Sequence, residues 1–209
     1  MTPIFITGTG TGIGKTLVAA ILAEALQADY WKPVQAGFDD GTDSEALKRL
    51  VSHSSFKIFP EVYRLKMPAS PHISAKEEGI RISTDKICSS LPKSDAPLLI
   101  EGAGGLMVPL NEEEFVIDLV EKLEANVIVV SRNYLGSINH SLLTAAVLHS
   151  RPIKVLGWVF NDQYLDYSDE IVNWTGYPAL ASIPHTEEPD AAFVREQGTR
   201  IREHIFELI

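Results

Sequence analysis

A single cysteine, Cys88, occurs in the chain, so no internal disulfide can form, as suits a reducing cytosol. It falls in a helical pattern with Ile87 and Leu91 and reads as a small buried hydrophobe, not a nucleophile. No apolar run approaches the ~20 residues that span a bilayer, and no charged segment precedes an apolar one at the start, so neither a membrane anchor nor a leader is expected. Positive charge is scarce: 18 Lys and Arg stand against 28 Asp and Glu, a net −10. That balance excludes a general binder of nucleic-acid backbones, and any anionic ligand must be held by a local positive pocket. The histidines include no pair with another His or Cys at ligand spacing; His72, His140 and His185 each stand apart, so a zinc site is not expected. Internal repeats and low-complexity tracts are also lacking. The expectation is a soluble cytoplasmic protein with neither membrane nor nucleic acid as partner.

What is present is a regular alternation. The 209 residues suit a single domain, 1–209. Apolar β-rich runs recur at residues 4–7, 30–34, 98–101, 127–131 and 155–160, with a weaker one at 179–183. Helical patterns lie between them at 16–27, 43–52, 84–91, 115–123, 138–149 and 166–175, and a last one at 191–206. Strands that read as unbroken Val, Ile and Leu belong to a parallel sheet covered on both faces. The pattern therefore predicts an α/β fold: a three-layer sandwich with a mainly parallel sheet, helices on both faces and ligands at the carboxyl ends of the strands. Residues 56–79, with Pro60, Pro68 and Pro71, read as an ordered excursion from this pattern.

The most informative stretch is Ile4-Phe5-Ile6-Thr7-Gly8-Thr9-Gly10-Thr11-Gly12-Ile13-Gly14-Lys15-Thr16. A short apolar strand breaks into alternating glycines, then Gly-Lys-Thr, then a helix-forming run. Glycines let successive backbone N–H groups turn inward around an anion, and the following helix aims its positive end at the same point. In this phosphate-loop pattern of nucleoside-triphosphate sites, Lys15 reaches the outer phosphates and the Thr16 hydroxyl ligates Mg²⁺. One departure is that Thr9 stands where the strict pattern has Gly, with Gly8 and Gly10 on either side. The alternative is a glycine-rich turn that holds no ligand.

Charge also collects at strand ends. In Tyr30-Trp31-Lys32-Pro33-Val34-Gln35-Ala36-Gly37 a lysine stands in a buried strand, which is costly unless it meets an anion. It reads as a second cation facing the γ-phosphate, or else as a snorkelling edge lysine. Leu98-Leu99-Ile100-Glu101 closes another strand on a carboxylate at the position that holds Mg²⁺ in such proteins, unless it merely caps the turn. Asp43, in Gly41-Thr42-Asp43-Ser44-Glu45, is either a helix N-cap or a further Mg²⁺ carboxylate, with Glu45 its rival.

Taken together, Thr7–Thr16, Lys32-Pro33-Val34, Ser70-Pro71-His72, Glu101-Gly102-Ala103-Gly104-Gly105 and Leu135-Gly136-Ser137-Ile138-Asn139-His140 resemble the dethiobiotin synthetases over nearly the whole chain. The resemblance implies carboxylation of 7,8-diaminononanoate by CO₂ and ring closure at the cost of ATP, with Mg²⁺, through a carbamate and a carbamic–phosphoric anhydride. It implies Lys32, Lys15 and Thr11 as catalytic residues and Thr16, Asp43 and Glu101 as the metal set. Nucleotide contacts would come from Gly12, Ile13, Gly14, Lys15, Thr16, Leu17, Asp43, Glu101, Gly102, Ala103 and Gly104. Asn161 would read the adenine edge, and Pro184, His185 and Thr186 would close over the base. The family is homodimeric, which implies that the substrate tail crosses to Gly136, Ser137 and Asn139 of the neighbouring subunit. That loop also reads as an ordinary helix start capped by Ser137. Two features depart from the family pattern: Ala36 replaces a hydroxyl residue, and Gly10 and Gly12 replace acidic residues of some members. Chromosome-partition and division-site ATPase switches look similar, but they place a lysine where Gly10 stands. Cobyrinate-type amidating synthases carry a glutamine-hydrolysing domain for which Cys88 has no suitable context.

Overall fold

The computed structural model describes residues 1–39, 41–162, 165 and 167–206. In chain order the elements are β1 (Ile4–Gly8), α1 (Lys15–Leu26), β2 (Asp29–Trp31), β3 (Val34–Ala36), α2 (Asp43–Leu50), β4 (Ile58–Phe59), β5 (Tyr63–Leu65), α3 (Pro71–Glu77), α4 (Thr84–Ser89), β6 (Leu98–Glu101), α5 (Val116–Lys122), β7 (Asn126–Arg132), α6 (Ser137–His149), β8 (Val155–Asn161), α7 (Ser168–Thr175), β9 (Ala179–Ile183) and α8 (Ala191–Phe206). Seven strands form one sheet in the order β4-β2-β6-β1-β7-β8-β9, and each neighbouring pair in it runs parallel. The fold is the expected α/β sandwich.

Side chains alternate across the sheet, and each strand thereby feeds two cores. Phe5, Ile100, Val127 and Val129 pack on one face, with Ile87 of α4, Val116 and Val120 of α5, Leu148 of α6 and Ile171 of α7. Ile4, Ile6, Leu99, Ile128 and Val130 pack on the other, against α1 and the α8 residues Val194, Ile201 and Ile205. Residues 18–26 of α1 are all buried, because α8 covers the side turned from the sheet; the helix is apolar nearly all round as a result. Parallel pairing gathers the carboxyl ends of all seven strands on one rim, where β1 releases residues 9–14 and β6 ends at Glu101.

The structure corrects the sequence reading at residues 30–34, which are not one strand. The ladder of β2 stops at Trp31, and after Lys32 and Pro33 the chain re-forms as β3, which pairs with β5 in a separate two-stranded parallel sheet. Pro33 has no N–H to continue the ladder, while its carbonyl accepts the Val62 and Tyr63 N–H groups at 2.9 and 3.0 Å. Residues 56–79 carry β4, β5 and α3, all three too short to stand out as periodic runs. The predicted helix start at Asp166 lies outside the described residues; α7 is helical from Ser168.

Candidate active site

Between β1 and α1 the chain turns through Gly12 and Gly14, both at positive φ (72° and 88°). At Gly14 a side chain is barred twice over, since any Cβ would also collide with the Asn161 amide. Lys15 opens α1 almost out of water, its ammonium donating to the Gly10 carbonyl at 2.8 Å. Burial pulls its pKa down to about 8, a fall that Glu101 and Asp43 resist and Lys32 reinforces.

At the next residue, the Thr16 hydroxyl donates to Asp43 Oδ1 at 2.5 Å and lies 3.1 Å from Glu101 Oε1. Lys32, in the break between β2 and β3, places its ammonium 2.6 Å from Asp43 Oδ2 and 3.0 Å from Glu101 Oε1. Burial alone would lower the Lys32 pKa, but the two carboxylates outweigh it and raise the pKa above its ordinary value. Asp43 is pushed the other way: burial disfavours its charge, but Lys32, Thr16 and Lys15 hold its pKa below the usual value. The paired lysine is thus neither a surface nor an edge group. Thr16, Asp43 and Glu101 present three hard oxygen-bearing groups, each carboxylate within 3.1 Å of the hydroxyl, and that donor chemistry fits Mg²⁺.

At the start of α2, Asp43 and Glu45 take different partners. The N-cap is Thr42, whose hydroxyl accepts the Glu45 N–H at 3.1 Å while the Glu45 carboxylate accepts the Thr42 N–H at 2.9 Å. Glu45 is consumed by this capping box, and Asp43, one residue inside the helix, faces Thr16 and Lys32. Two residues that sequence reasoning missed support the cluster. Gln35 is buried and bridges Gly37 O (2.8 Å) and the Asp43 N–H (3.3 Å). The Tyr30 hydroxyl donates to Glu101 Oε2 at 2.8 Å. The Tyr30 partner lies 71 residues away and the Gln35 partners 2 and 8 residues on, and no local motif marks either residue.

A cleft of about 730 Å³ opens above this cluster, with Thr11, Gly104, Ala36, Ser70 and Pro71 among its walls. Residues 102–105 return against the phosphate loop: the Gly102 N–H donates to Ile6 O at 3.0 Å, and a Cβ on Gly105 would press on Gly8 O. A second cleft, about 480 Å³, lies on the other side of Thr11, Gly12 and Ile13, bounded by Arg132, Tyr134, Leu135 and Asp162. Asn161, at the end of β8, donates its amide to Ile13 O at 2.9 Å and so stands against the loop. Pro184, His185 and Thr186 follow β9, with His185 Nδ1 3.7 Å from Asp162. Leu17 is half-buried on α1.

Gly136, Ser137 and Asn139 are not brought to the Lys32 cluster. They start α6 beside the second cleft, beyond Leu135, which is 99% exposed. Ser137 is the first residue of that helix and not its cap. It is buried, its N–H donates to Tyr134 O at 2.9 Å, and its hydroxyl meets that of Tyr167 at 2.5 Å. Asn139 is exposed. Among the described residues no helix is long and apolar enough to cross a membrane.

A family model described as an AAA domain matches residues 2–192. A relative from Rhodopseudomonas palustris (strain TIE-1), named ATP-dependent dethiobiotin synthetase BioD, is 46% identical over 193 residues, 92% of this chain and 90% of its own length. The protein of the same name from Cytophaga hutchinsonii is 44% identical over 209 residues, 99% of this chain and 100% of its own. Among solved structures, the Pyrococcus furiosus cell division ATPase MinD aligns over 100% of both chains with a TM-score of 0.65 at 16% identity. A ParA family ATPase from Chlorobium tepidum TLS covers 95% of this chain and 98% of its own with a TM-score of 0.60 at 15% identity. At such identities the likeness to MinD and ParA is one of fold alone.

Proposed function

The chain belongs to the family of ATP-dependent dethiobiotin synthetases, and from that premise we propose how its own residues carry out the synthesis. It is an ATP-dependent ligase that forms dethiobiotin in biotin biosynthesis. In the proposed sequence one amine of 7,8-diaminononanoate adds to CO₂, losing a proton and forming a carbamate. A carbamate oxygen attacks the γ-phosphorus of ATP, and the bond to ADP breaks. The second amine then attacks the carbamoyl carbon of the resulting anhydride, closes the ring and expels phosphate.

The difficult step joins two anions, and fixed positive charge near the reacting oxygens relieves their repulsion. The observation that carries the reading is Lys32, a buried and charged ammonium held by Asp43 and Glu101 on the floor of the phosphate-loop cleft. Lys32 serves the carbamate and γ-phosphate, Lys15 spans the β- and γ-phosphates, and Thr11 hydrogen-bonds the carbamate or phosphate from the loop. Gly12, Ile13, Gly14 and the loop from Gly102 to Gly104 cradle the phosphates with backbone groups. Mg²⁺ held by Thr16, Asp43 and Glu101 would neutralise charge on the β- and γ-phosphates. Asn161 gives its amide N–H to Ile13 O, leaving its carbonyl oxygen to accept from an adenine amine; guanine presents a carbonyl there instead. Ala36 supplies no hydroxyl, so a substrate contact at that wall falls to backbone N–H groups.

The working unit in this proposal is one domain per chain and two chains, in the cytoplasm. Gly136 and Asn139, at the start of α6, receive the substrate carboxylate from the neighbouring subunit; Ser137 shapes that turn with its N–H and hydroxyl engaged within its own chain.

The test is ADP release from Mg²⁺-ATP and bicarbonate, with and without 7,8-diaminononanoate, together with detection of dethiobiotin by mass. ADP release should require the diamine and accompany the cyclic urea. Lys32→Ala should lower turnover by about 10²–10³-fold while nucleotide still binds. Unchanged ring closure in that variant would remove Lys32 from the chemistry.

A further inference from the structure

We propose that Tyr30 is a positioning residue for the reaction, its phenol fixing Glu101 so that one carboxylate oxygen alone, Oε1, faces Thr16 and Lys32. The inference rests on the reading of Glu101 as part of the Mg²⁺ set. It begins in the sheet register. β2 and β6 are parallel neighbours with Tyr30 opposite Leu99, which puts Tyr30, Leu99 and Glu101 on the same face by the two-residue period. From there the long tyrosine ring reaches forward to the last residue of β6, and its hydroxyl donates to Glu101 Oε2 at 2.8 Å.

Both groups are out of water: Tyr30 is 0% and Glu101 1% exposed. A buried carboxylate oxygen without a donor is costly, and a phenol supplies that donor without adding charge. The two oxygens of Glu101 are thereby divided. Oε2 belongs to the core, and Oε1 lies 3.0 Å from the Lys32 ammonium and 3.1 Å from the Thr16 hydroxyl.

The division has chemical value because the terminal torsion of a glutamate is soft, so an unrestrained carboxylate could turn both oxygens toward a cation. Mg²⁺ demands near-ideal octahedral geometry, which suits a carboxylate offering one oxygen in a fixed direction. Packing alone does not call for a hydroxyl here: a phenylalanine would fill the same space between β2 and α1.

The experiment compares the intact protein with Tyr30→Phe and Glu101→Gln. It measures ADP affinity in EDTA by calorimetry, Mn²⁺ affinity at saturating ADP by the resonance of free Mn²⁺, and the melting temperature in EDTA. Tyr30→Phe should bind ADP in EDTA within about twofold of the parent and yet need about tenfold more Mn²⁺ for half-saturation. Glu101→Gln should also weaken Mn²⁺ binding. Weakened Mn²⁺ binding in Glu101→Gln but not in a folded Tyr30→Phe would overturn the role of Tyr30 and leave Glu101 as assigned. Unchanged Mn²⁺ binding in Glu101→Gln would overturn the Glu101 assignment, and the Tyr30 proposal with it. Should Tyr30→Phe fail to fold, Tyr30→Met removes the hydroxyl a second way and is judged by the same measurements.

Discussion

Lys15 meets the phosphate loop with a charge it holds only weakly. Its pKa near 8, set mainly by burial, means that the free protein loses this cation through the range just above neutrality. Bound phosphate favours the charged form, so nucleotide binding near pH 8 to 9 should take up a proton, and affinity should fall as pH rises further. Calorimetry of ADP binding in two buffers of different ionisation enthalpy would read that proton directly; equal heats would refute it. The stability signs differ within the cluster. Lys32 is raised in the folded protein, and its contribution is present below pH 10.5 and lost as pH climbs through its folded value. Asp43 is lowered, and its contribution is present above its ordinary value of 3.8 and lost as pH falls through its folded value. Lys15 opposes Lys32: its pKa falls below 10.5 on folding, so its own term improves between about 8 and 10.5. Lys15, Thr16, Lys32 and Glu101 were legible as residues because a local pattern surrounds each. Tyr30 was not, because a hydrogen bond over 71 residues to Glu101 depends on strand register, which composition does not encode; nor was Gln35, whose bonds to Gly37 and Asp43 form only once the chain turns back at the start of α2.

At the start of α2, two carboxylates two residues apart do different work, and their variants should separate cleanly. Glu45→Ala opens the capping box and should cost about 1 kcal/mol of stability in denaturant unfolding, with turnover largely kept. Asp43→Ala leaves the box intact but removes the partner of Lys32 and Thr16; it should lower turnover by about two orders of magnitude. The reverse pattern would exchange their roles. Long elements were read well from sequence because their signal repeats: β7 and β8 are apolar runs, and α6 and α8 span several turns. Short elements were not. β4 has two residues and β3 three, too few to repeat a strand's two-residue period, and each is fixed by a partner elsewhere in the chain, β4 by β2 and β3 by β5. Proline at 33 was visible all along, but that it would send the chain into a second sheet depended on where β5 waited.

For the whole molecule, the proposed pairing of two chains makes a claim about surface. Leu135, just before α6, is 99% exposed, and Leu143, midway along that helix, 59%. Large apolar side chains left in water favour a partner, and Leu135 also walls the second cleft. Leu135→Asp combined with Leu143→Asp should shift a dimer toward monomer in sedimentation and raise the KM for the diamine more than it lowers ADP affinity. A wild-type monomer at working concentration would end that reading. The sheet itself has an asymmetry with a longer reach. Since all seven strands of the main sheet finish on the same rim, Lys32, Glu101, Asn161 and the phosphate loop crowd one edge, while the strand starts opposite hold none of them. Mutational drift should therefore be lopsided: the turns leading into β6 and β8 can lengthen, shorten or accept a fused peptide, while the far edge admits almost no change in length. The molecule is free to evolve from one side only.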